Sequence, residues 1–364
     1  LDKKNYQVTI ASTILQAVLF TLLLIISTAN ACTVFSFTKD DTMIVAKNLD
    51  WPVSQGFICI NNRNIYKNTT FSDSINSFQW KSVYGSITFN QFGPGYPISG
   101  MNEKGLVIEE TAYSLSSFPN LTNVPGINEF QWVQYFLDTK QSVNEVIEAV
   151  NEVNIVPILI GLHYFICDSS GNYAMIEYLD EDVKIWRKET IPYPVLTNNS
   201  FQNSLKYLSY HVGFGGEMEI RNGPESPVRF VKAVSILDSI DHTKEHSFNL
   251  ENSIFDILNS VRQYDTQWQI VYFPGEKTLI FKYLPDKKKE FLNLNTFTFK
   301  ADRTFVKAIS TDEDFKVYTV EEYSYMLLNI INEYFNKDIL EKTQGEKIYQ
   351  DIMNNIRHAE TLRE

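Results

Sequence analysis

Strand-like and helix-like patterns come in alternating blocks along this chain, and their order restricts the available folds more than any single motif does. Thr33 to Phe37 and Met43 to Leu49 read as two strands joined by the polar turn Lys39-Asp40-Asp41-Thr42. Short strand candidates follow at Ile58 to Ile60, Phe78 to Val83 and Ser86 to Asn90, and Gly93-Pro94-Gly95 breaks the run. Gly100 to Leu106 forms a turn leading into the apolar strand Leu106 to Ile108. Helices come next: Phe130, Val133 and Leu137 share a face, and Ser142 with Glu145 has capping-box spacing at the head of a second helix. Leu162 to Cys167, Tyr173 to Tyr178 and Val183 to Trp186 are strands again. Two more helices carry Phe230, Ala233, Val234 and Leu237, then Ile254, Ile257, Leu258 and Val261. Gln267 to Phe273 and Thr278 to Tyr283 close a hairpin through Pro274-Gly275-Glu276-Lys277. This order predicts an α+β protein with two sheets sandwiched between helical layers. From Val320 the pattern is helical, with one stripe of Tyr323, Leu327, Ile330 and Tyr334 and another of Ile348, Ile352 and Ile356.

Ahead of the first strand, Ile14 to Ile26 is almost wholly apolar, follows Lys3 and Lys4, and leads to Ala29-Asn30-Ala31, the small-residue pattern at which signal peptidase cuts. Residues 1–31 are therefore expected to be a removed signal peptide, with 32–315 the catalytic domain and 316–364 a helical extension. The expected location is extracytoplasmic, secreted or periplasmic. An uncleaved membrane anchor and a lipid-modified Cys32 are the alternatives, although the residues before Cys32 lack the Leu usual three positions upstream of a lipidated cysteine.

Removal of the leader changes the chemistry of Cys32. A residue with only a thiol gains a free α-amine on the same carbon, with an unperturbed pKa near ~8. Such an amine can take the thiol proton, which points to an N-terminal-nucleophile hydrolase. The hairpin after Cys32 turns the chain so that Lys47 and Asp50 come back toward it.

The remaining signals exclude more than they assign. A net charge of -12 with no basic run argues against nucleic acid as a partner. No Gly-rich phosphate loop and no Gly-x-Ser-x-Gly elbow occurs, and no cofactor is expected. His242 and His246 have the spacing of two ligands but no third, so no metal is expected. Glu109 and Glu110 should point to opposite faces of a strand, which argues against a paired-carboxylate site. His163 reads as a core or site-lining imidazole. Cys59 and Cys167 either pair in an oxidising compartment or remain buried thiols. Asn68, Asn120 and Asn198 each head a sequon.

Several segments resemble the choloylglycine hydrolase family of linear-amide hydrolases, which includes bile salt hydrolases and penicillin V acylases. They are Cys32-Thr33 with Lys47-Asn48-Leu49-Asp50, the Met101 to Leu106 turn, Leu196-Thr197-Asn198, Arg229-Phe230 and Thr266-Gln267-Trp268. The resemblance runs in order over roughly residues 32 to 285. It implies a four-layer αββα N-terminal-nucleophile sandwich and cleavage of an unstrained amide. Residue by residue, it implies Cys32 as nucleophile, Asp50 as the carboxylate holding the α-amine, Asn198 as an oxyanion-hole donor and Arg229 as a guanidinium beside the nucleophile. Lys47 stands where the family usually has Arg, and keeps the charge without the planar two-pronged contact. Ala112-Tyr113 falls where the family completes its oxyanion hole, and Tyr113 is the expected contributor. The expected partner is a small-molecule amide with an apolar acyl group. An acyltransferase using the same thioester, and an anchored binding protein without catalysis, are the rival readings. The helical tail has three roles open to it: covering the core, pairing subunits as a homo-oligomer, or contacting a partner.

Overall fold

The computed structural model describes residues 32–69, 78–241, 250–317 and 319–336, with positions 346, 349, 350 and 353 beyond them. The leader, His242, His246 and the stripe Ile348, Ile352 and Ile356 lie outside the described residues.

In chain order the strands are β1 (Thr33–Lys39), β2 (Thr42–Asp50), β3 (Phe57–Asn61), β4 (Tyr66–Asn68), β5 (Gln79–Lys81), β6 (Ser86–Asn90), β7 (Pro97–Asn102), β8 (Val107–Ala112), β9 (Gly126–Ile127), β10 (Asn154–Ile155), β11 (Leu162–Cys167), β12 (Tyr173–Leu179) and β13 (Asp182–Arg187). They continue as β14 (Val195–Leu196), β15 (Thr266–Phe273), β16 (Thr278–Tyr283), β17 (Lys288–Asn293), β18 (Phe305–Ala308) and β19 (Lys316–Val317). The helices are α1 (Glu129–Thr139), α2 (Val143–Ala149), α3 (Phe201–Leu208), α4 (Ser226–Asp241), α5 (Leu250–Ser260) and α6 (Val320–Asn336).

Two antiparallel sheets carry the fold. One has six strands in the order β14-β1-β2-β15-β16-β17, the other nine in the order β13-β12-β11-β8-β7-β6-β3-β18-β19. Helix α1 lies on β7 and β8, while α4 packs on β1 and β14 and α5 on β2 and β15. The layers are therefore helix, sheet, sheet, helix, as the pattern predicts. Between the sheets, Phe89 of β6 stacks on Phe281 of β16 with centroids 5.0 Å apart. Outside the nine-stranded sheet, Trp132 of α1 stacks on Tyr164 of β11 at 4.0 Å. Burial of each such ring is worth roughly 2–3 kcal/mol.

The β1–β2 turn places Asp40 and Asp41 at φ 49° and 62°, the doubly left-handed geometry that matches strand twist in a tight hairpin and that Asp tolerates. The Met101–Leu106 turn is held by Asn102. Its Oδ1 accepts from the Lys104 and Leu106 amides at 3.0 and 3.1 Å, and its Nδ2 donates to Leu137 O and Lys140 O at 2.9 and 2.8 Å. This motif fastens the end of α1 to β7. Gly105 sits in it at φ 83°, where an added Cβ would lie 2.4 Å from Pro274 O.

Several elements differ from the sequence reading. The expected strand Phe78 to Val83 shrinks to β5, which pairs with β4 alone. Strand β7, whose second half the sequence reading gave to the turn, is wholly buried and carries Gly100, where a Cβ would lie 2.9 Å from Leu137 of α1. At α2, Ser142 accepts from Glu145 N, but the Glu145 carboxylate caps Gln141 N rather than the Ser142 amide. Cys59 and Cys167 are free and buried. They sit on β3 and β11, with β8, β7 and β6 between them. Four strand spacings amount to roughly 19 Å, far beyond the ~6 Å a disulfide spans, so no bridge joins them.

Strand β18 pairs with β3, with Phe305 opposite Ile60 and Ala308 opposite Phe57, and β19 forms the edge beyond it. Leu327, Ile330 and Ile331 of α6 are buried. No helix among the described residues is long and apolar enough to cross a membrane.

Candidate active site

Cys32 immediately precedes β1 and is 3% exposed. Antiparallel pairing sets Thr33 opposite Asn48 and Val34 opposite Lys47, and the Asp50 backbone hydrogen-bonds the Cys32 sulfur. The hairpin thus returns Lys47 and Asp50 to the head of β1. Alternation on β2 puts Asn48 on the face away from Lys47, toward the helical layer, where it donates to Leu258 O at 2.7 Å and accepts from Gln269 at 3.1 Å.

The Asp50 carboxylate is buried among donors. Arg229 Nη1 is 3.5 Å from Oδ2, Gln263 Nε2 donates to Oδ2 at 3.3 Å, and the Thr266 hydroxyl donates to Oδ1. Burial pushes Asp50 up to about 6, against the pull of Arg229, Thr266 and Gln263. The same burial pushes the Cys32 thiol up to about 12, with Lys47 acting in the opposite direction.

Arg229 lies in the first turn of α4, the helix packed on β1 and β14, and is 1% exposed. Its Nη1 donates to Cys32 O at 2.9 Å and to the Thr33 hydroxyl, Nη2 donates to Asn198 Oδ1 at 3.0 Å, and Nε donates to Pro224 O at 3.0 Å. Asn198, just past β14, donates from Nδ2 to Ala112 O at 2.8 Å. One planar cation therefore ties the nucleophile candidate, the carboxylate and the side-chain amide together. Asn198 Nδ2 carries two hydrogens, and its contact with Ala112 O uses one of them. The Asn198 nitrogen that a sequon would glycosylate is thus engaged inside the fold.

Lys47 is fully buried, with Nζ 3.0 Å from Glu109 Oε2, 3.8 Å from Glu110 Oε1 and donating to Ile98 O at 3.0 Å. Burial works against its charge, and Glu109, Glu110 and Cys32 outweigh that, holding the ammonium above its ordinary value. Both carboxylates converge on one ammonium, contrary to the expectation that strand alternation would keep them apart. The long lysine stem, crossing between the sheets from β2 to β8, reaches both. Burial pushes Glu110 up to about 7, opposed by Lys47 and reinforced by Glu109 and Glu129.

Cys32 and Glu110 line one narrow cavity of about 20 Å³, whose other walls include Leu49, Phe130, Leu159 and Ile160. Apart from those two and Gln91, the lining is apolar. Tyr113 stands apart. It stacks on His163 at 5.2 Å and hydrogen-bonds Ser200, and the cavity wall at this point is Ala112. The structure thus brings Cys32, Lys47, Asp50, Asn198 and Arg229 around one spot and leaves Tyr113 beside it. Glu110 was set aside in the sequence, and Thr266 was noted as part of a resembling segment but given no role at the site. Among the described residues no group of three or more His, Cys, Asp or Glu could hold a metal ion.

Comparison with known proteins gives the chain a family. The family described as "Linear amide C-N hydrolases, choloylglycine hydrolase family" matches residues 32–269. A penicillin V acylase of Pectobacterium atrosepticum is 28% identical over 185 residues, covering 46% of this chain and 49% of that protein, so the chain spans about half the length of this curated relative. Among solved structures, a penicillin V acylase from Agrobacterium tumefaciens superposes with a TM-score of 0.67 at 22% identity, over 79% of this chain and 98% of that one. A variant of the conjugated bile acid hydrolase from Clostridium perfringens gives 0.63 at 19%, over 79% and 100%. These two likenesses are likenesses of fold, over the helix, sheet, sheet, helix layers described above.

Proposed function

Since this chain belongs to the choloylglycine hydrolase family of linear amide C-N hydrolases, we propose that it is an exported cysteine amidase. It cleaves a linear, non-peptide carbon–nitrogen bond through a thioester on Cys32, once removal of residues 1–31 frees the Cys32 amine. The observation that carries this reading is the Arg229 guanidinium, which contacts Cys32, Asp50 and Asn198 together.

With the thiol pushed up to about 12 by burial, Cys32 attacks only if a base takes its proton. The freed amine on the same α-carbon is that base, and Asp50 orients it and favours its protonated form. Sulfur adds to the amide carbon, and the oxygen that gains negative charge meets the unused N–H of Asn198. Losing such a donor typically costs ~3–4 kcal/mol of barrier. The ammonium then returns its proton to the leaving nitrogen, the C–N bond breaks, and a thioester remains. Water, deprotonated by the same amine, releases the acid and restores the thiol. Lys47, held by Glu109 on one side, keeps Glu110 near the sulfur and supplies positive charge there.

The apolar lining beside Cys32 supports an apolar acyl group, in keeping with relatives named for penicillin V and conjugated bile acid. The test is turnover of N-acyl amino acids, bile-salt conjugates, phenoxyacetyl amides and N-acyl lactones by wild type and Cys32→Ser, with the mass of the mature N-terminus. A chain starting at unmodified Cys32 with turnover lost in Cys32→Ser is expected. Unchanged turnover in Cys32→Ser, or full activity with the leader retained, would overturn the reading.

A further inference from the structure

Asn198 is held from two directions, only one of which is Arg229. The residue before it, Thr197, is fully buried. Its carbonyl accepts from His163 Nε2 at 2.8 Å and from the Thr111 hydroxyl at 3.4 Å, and its own hydroxyl accepts from Ser226 at 2.9 Å. His163 is on β11 of the nine-stranded sheet, whereas Thr197 follows β14 of the six-stranded sheet. This contact therefore crosses from one sheet to the other at the residue adjoining the candidate oxyanion donor.

His163 is itself fixed. Its Nδ1 is 3.3 Å from Glu177 Oε1, Tyr113 stacks on its ring at 5.2 Å, and neither His163 nor Glu177 is solvent-exposed. The ring is thus held between an acceptor on each side, the Thr197 carbonyl at Nε2 and the Glu177 carboxylate at Nδ1. Glu177 also accepts from Trp186 Nε1 at 2.6 Å and from the Phe201 amide, which opens α3, at 2.9 Å. Burial opposes the charge on Glu177, and His163 with these donors outweighs it, holding the carboxyl below its ordinary value. A network in which every member is satisfied fixes geometry to a degree that packing alone does not.

We propose that the buried His163–Glu177 pair is a positioning device for the reaction, gripping the Thr197 carbonyl so that the adjoining Asn198 amide points its free N–H at the oxygen that charges during attack on Cys32's substrate. His163 acts through Asn198 and does not touch the reacting atoms. This also accounts for Tyr113, whose ring braces the imidazole. The inference rests on the amidase reading above and deepens it.

The test is a double-mutant cycle. In the full-length processed protein, His163→Phe keeps a ring against Tyr113 but donates nothing, and Glu177→Gln keeps the volume and removes the carboxylate. Each is made alone and in an Asn198→Ala background, and kcat, KM and the rate of Cys32 alkylation by iodoacetamide are measured. Expected is a kcat loss of roughly tenfold or more for His163→Phe, below the ~100- to 1000-fold for outright loss of a donor. KM should stay within about twofold and alkylation should be unchanged, because the thiol is not the target. In Asn198→Ala the same His163 substitution should change kcat less than about twofold, since the group it aims is gone. Equal losses in both backgrounds, or a folded His163→Phe with wild-type kcat, would overturn the positioning role. Should His163→Phe fail to fold, Glu177→Gln carries the same cycle with the same two outcomes. Failure of the amidase reading looks different: turnover would survive Cys32→Ser, whatever happens at His163.

Discussion

Arg229 Nη2 donates to Asn198 Oδ1 at 3.0 Å while Nη1 of the same guanidinium donates to Cys32 O at 2.9 Å. A rigid planar fork therefore sets the distance between the sulfur-bearing residue and the amide that is to stabilise its product. Lysine offers one point charge and cannot span both. Arg229→Lys is expected to lower kcat/KM by about 100-fold, some 3 kcal/mol. A kcat/KM within twofold of wild type would show that the charge alone is enough.

Asp50 is raised from its ordinary 3.8 to about 6. Its ionised form is the one that holds the amine, so activity should fall as pH drops through about 6. In Asp50→Asn that acid limb should disappear along with most of the rate. An unchanged limb in the variant would assign it to another group.

Glu110 is raised from 4.5 to about 7, so its ionised form is disfavoured by folding. The associated stability is complete below pH 4.5 and is lost as pH rises through about 7. Glu110→Gln removes the titration and should gain on wild type between pH 5 and 8, by up to roughly 3 kcal/mol. Urea unfolding at the two pH values measures this, and a difference that does not vary with pH would contradict it.

At Gly105 a φ of 83° and a Pro274 carbonyl 2.4 Å from any added Cβ leave no room for a side chain. Gly105→Ala should cost ~2 kcal/mol or more, visible as a lower Tm. The surviving folded fraction should show an unaltered KM, because this turn fastens α1 rather than binding substrate. A raised KM with an unchanged Tm would reverse that assignment.

The layered fold was legible because blocks of period-2 and period-3.6 hydrophobicity follow one another from Thr33 to Tyr283. The hairpin that returns Lys47 and Asp50 to Cys32 could be read from its turn. Strand β17, Lys-Lys-Glu-Phe-Leu-Asn, escaped notice because an edge strand with charged residues has no apolar alternation. Asn198 and Arg229 carry no local signal that marks a site, since a turn Asn and a helix Arg look the same in other settings. They were found only through the family resemblance. Glu110 was misjudged for a geometric reason: alternation describes where strand side chains leave the backbone, not where a long lysine from the facing sheet can reach.

Strand β3 is covered on one side by β6 and on the other by β18, a segment made only after nearly all of the sandwich. During synthesis the apolar run Phe57-Ile58-Cys59-Ile60 must therefore wait with one row of backbone amides and carbonyls unsatisfied, and a neighbouring nascent chain can dock there first. Slow elongation would accordingly favour tangled chains over soluble ones, and trimming the chain before Phe305 would make that vulnerability permanent.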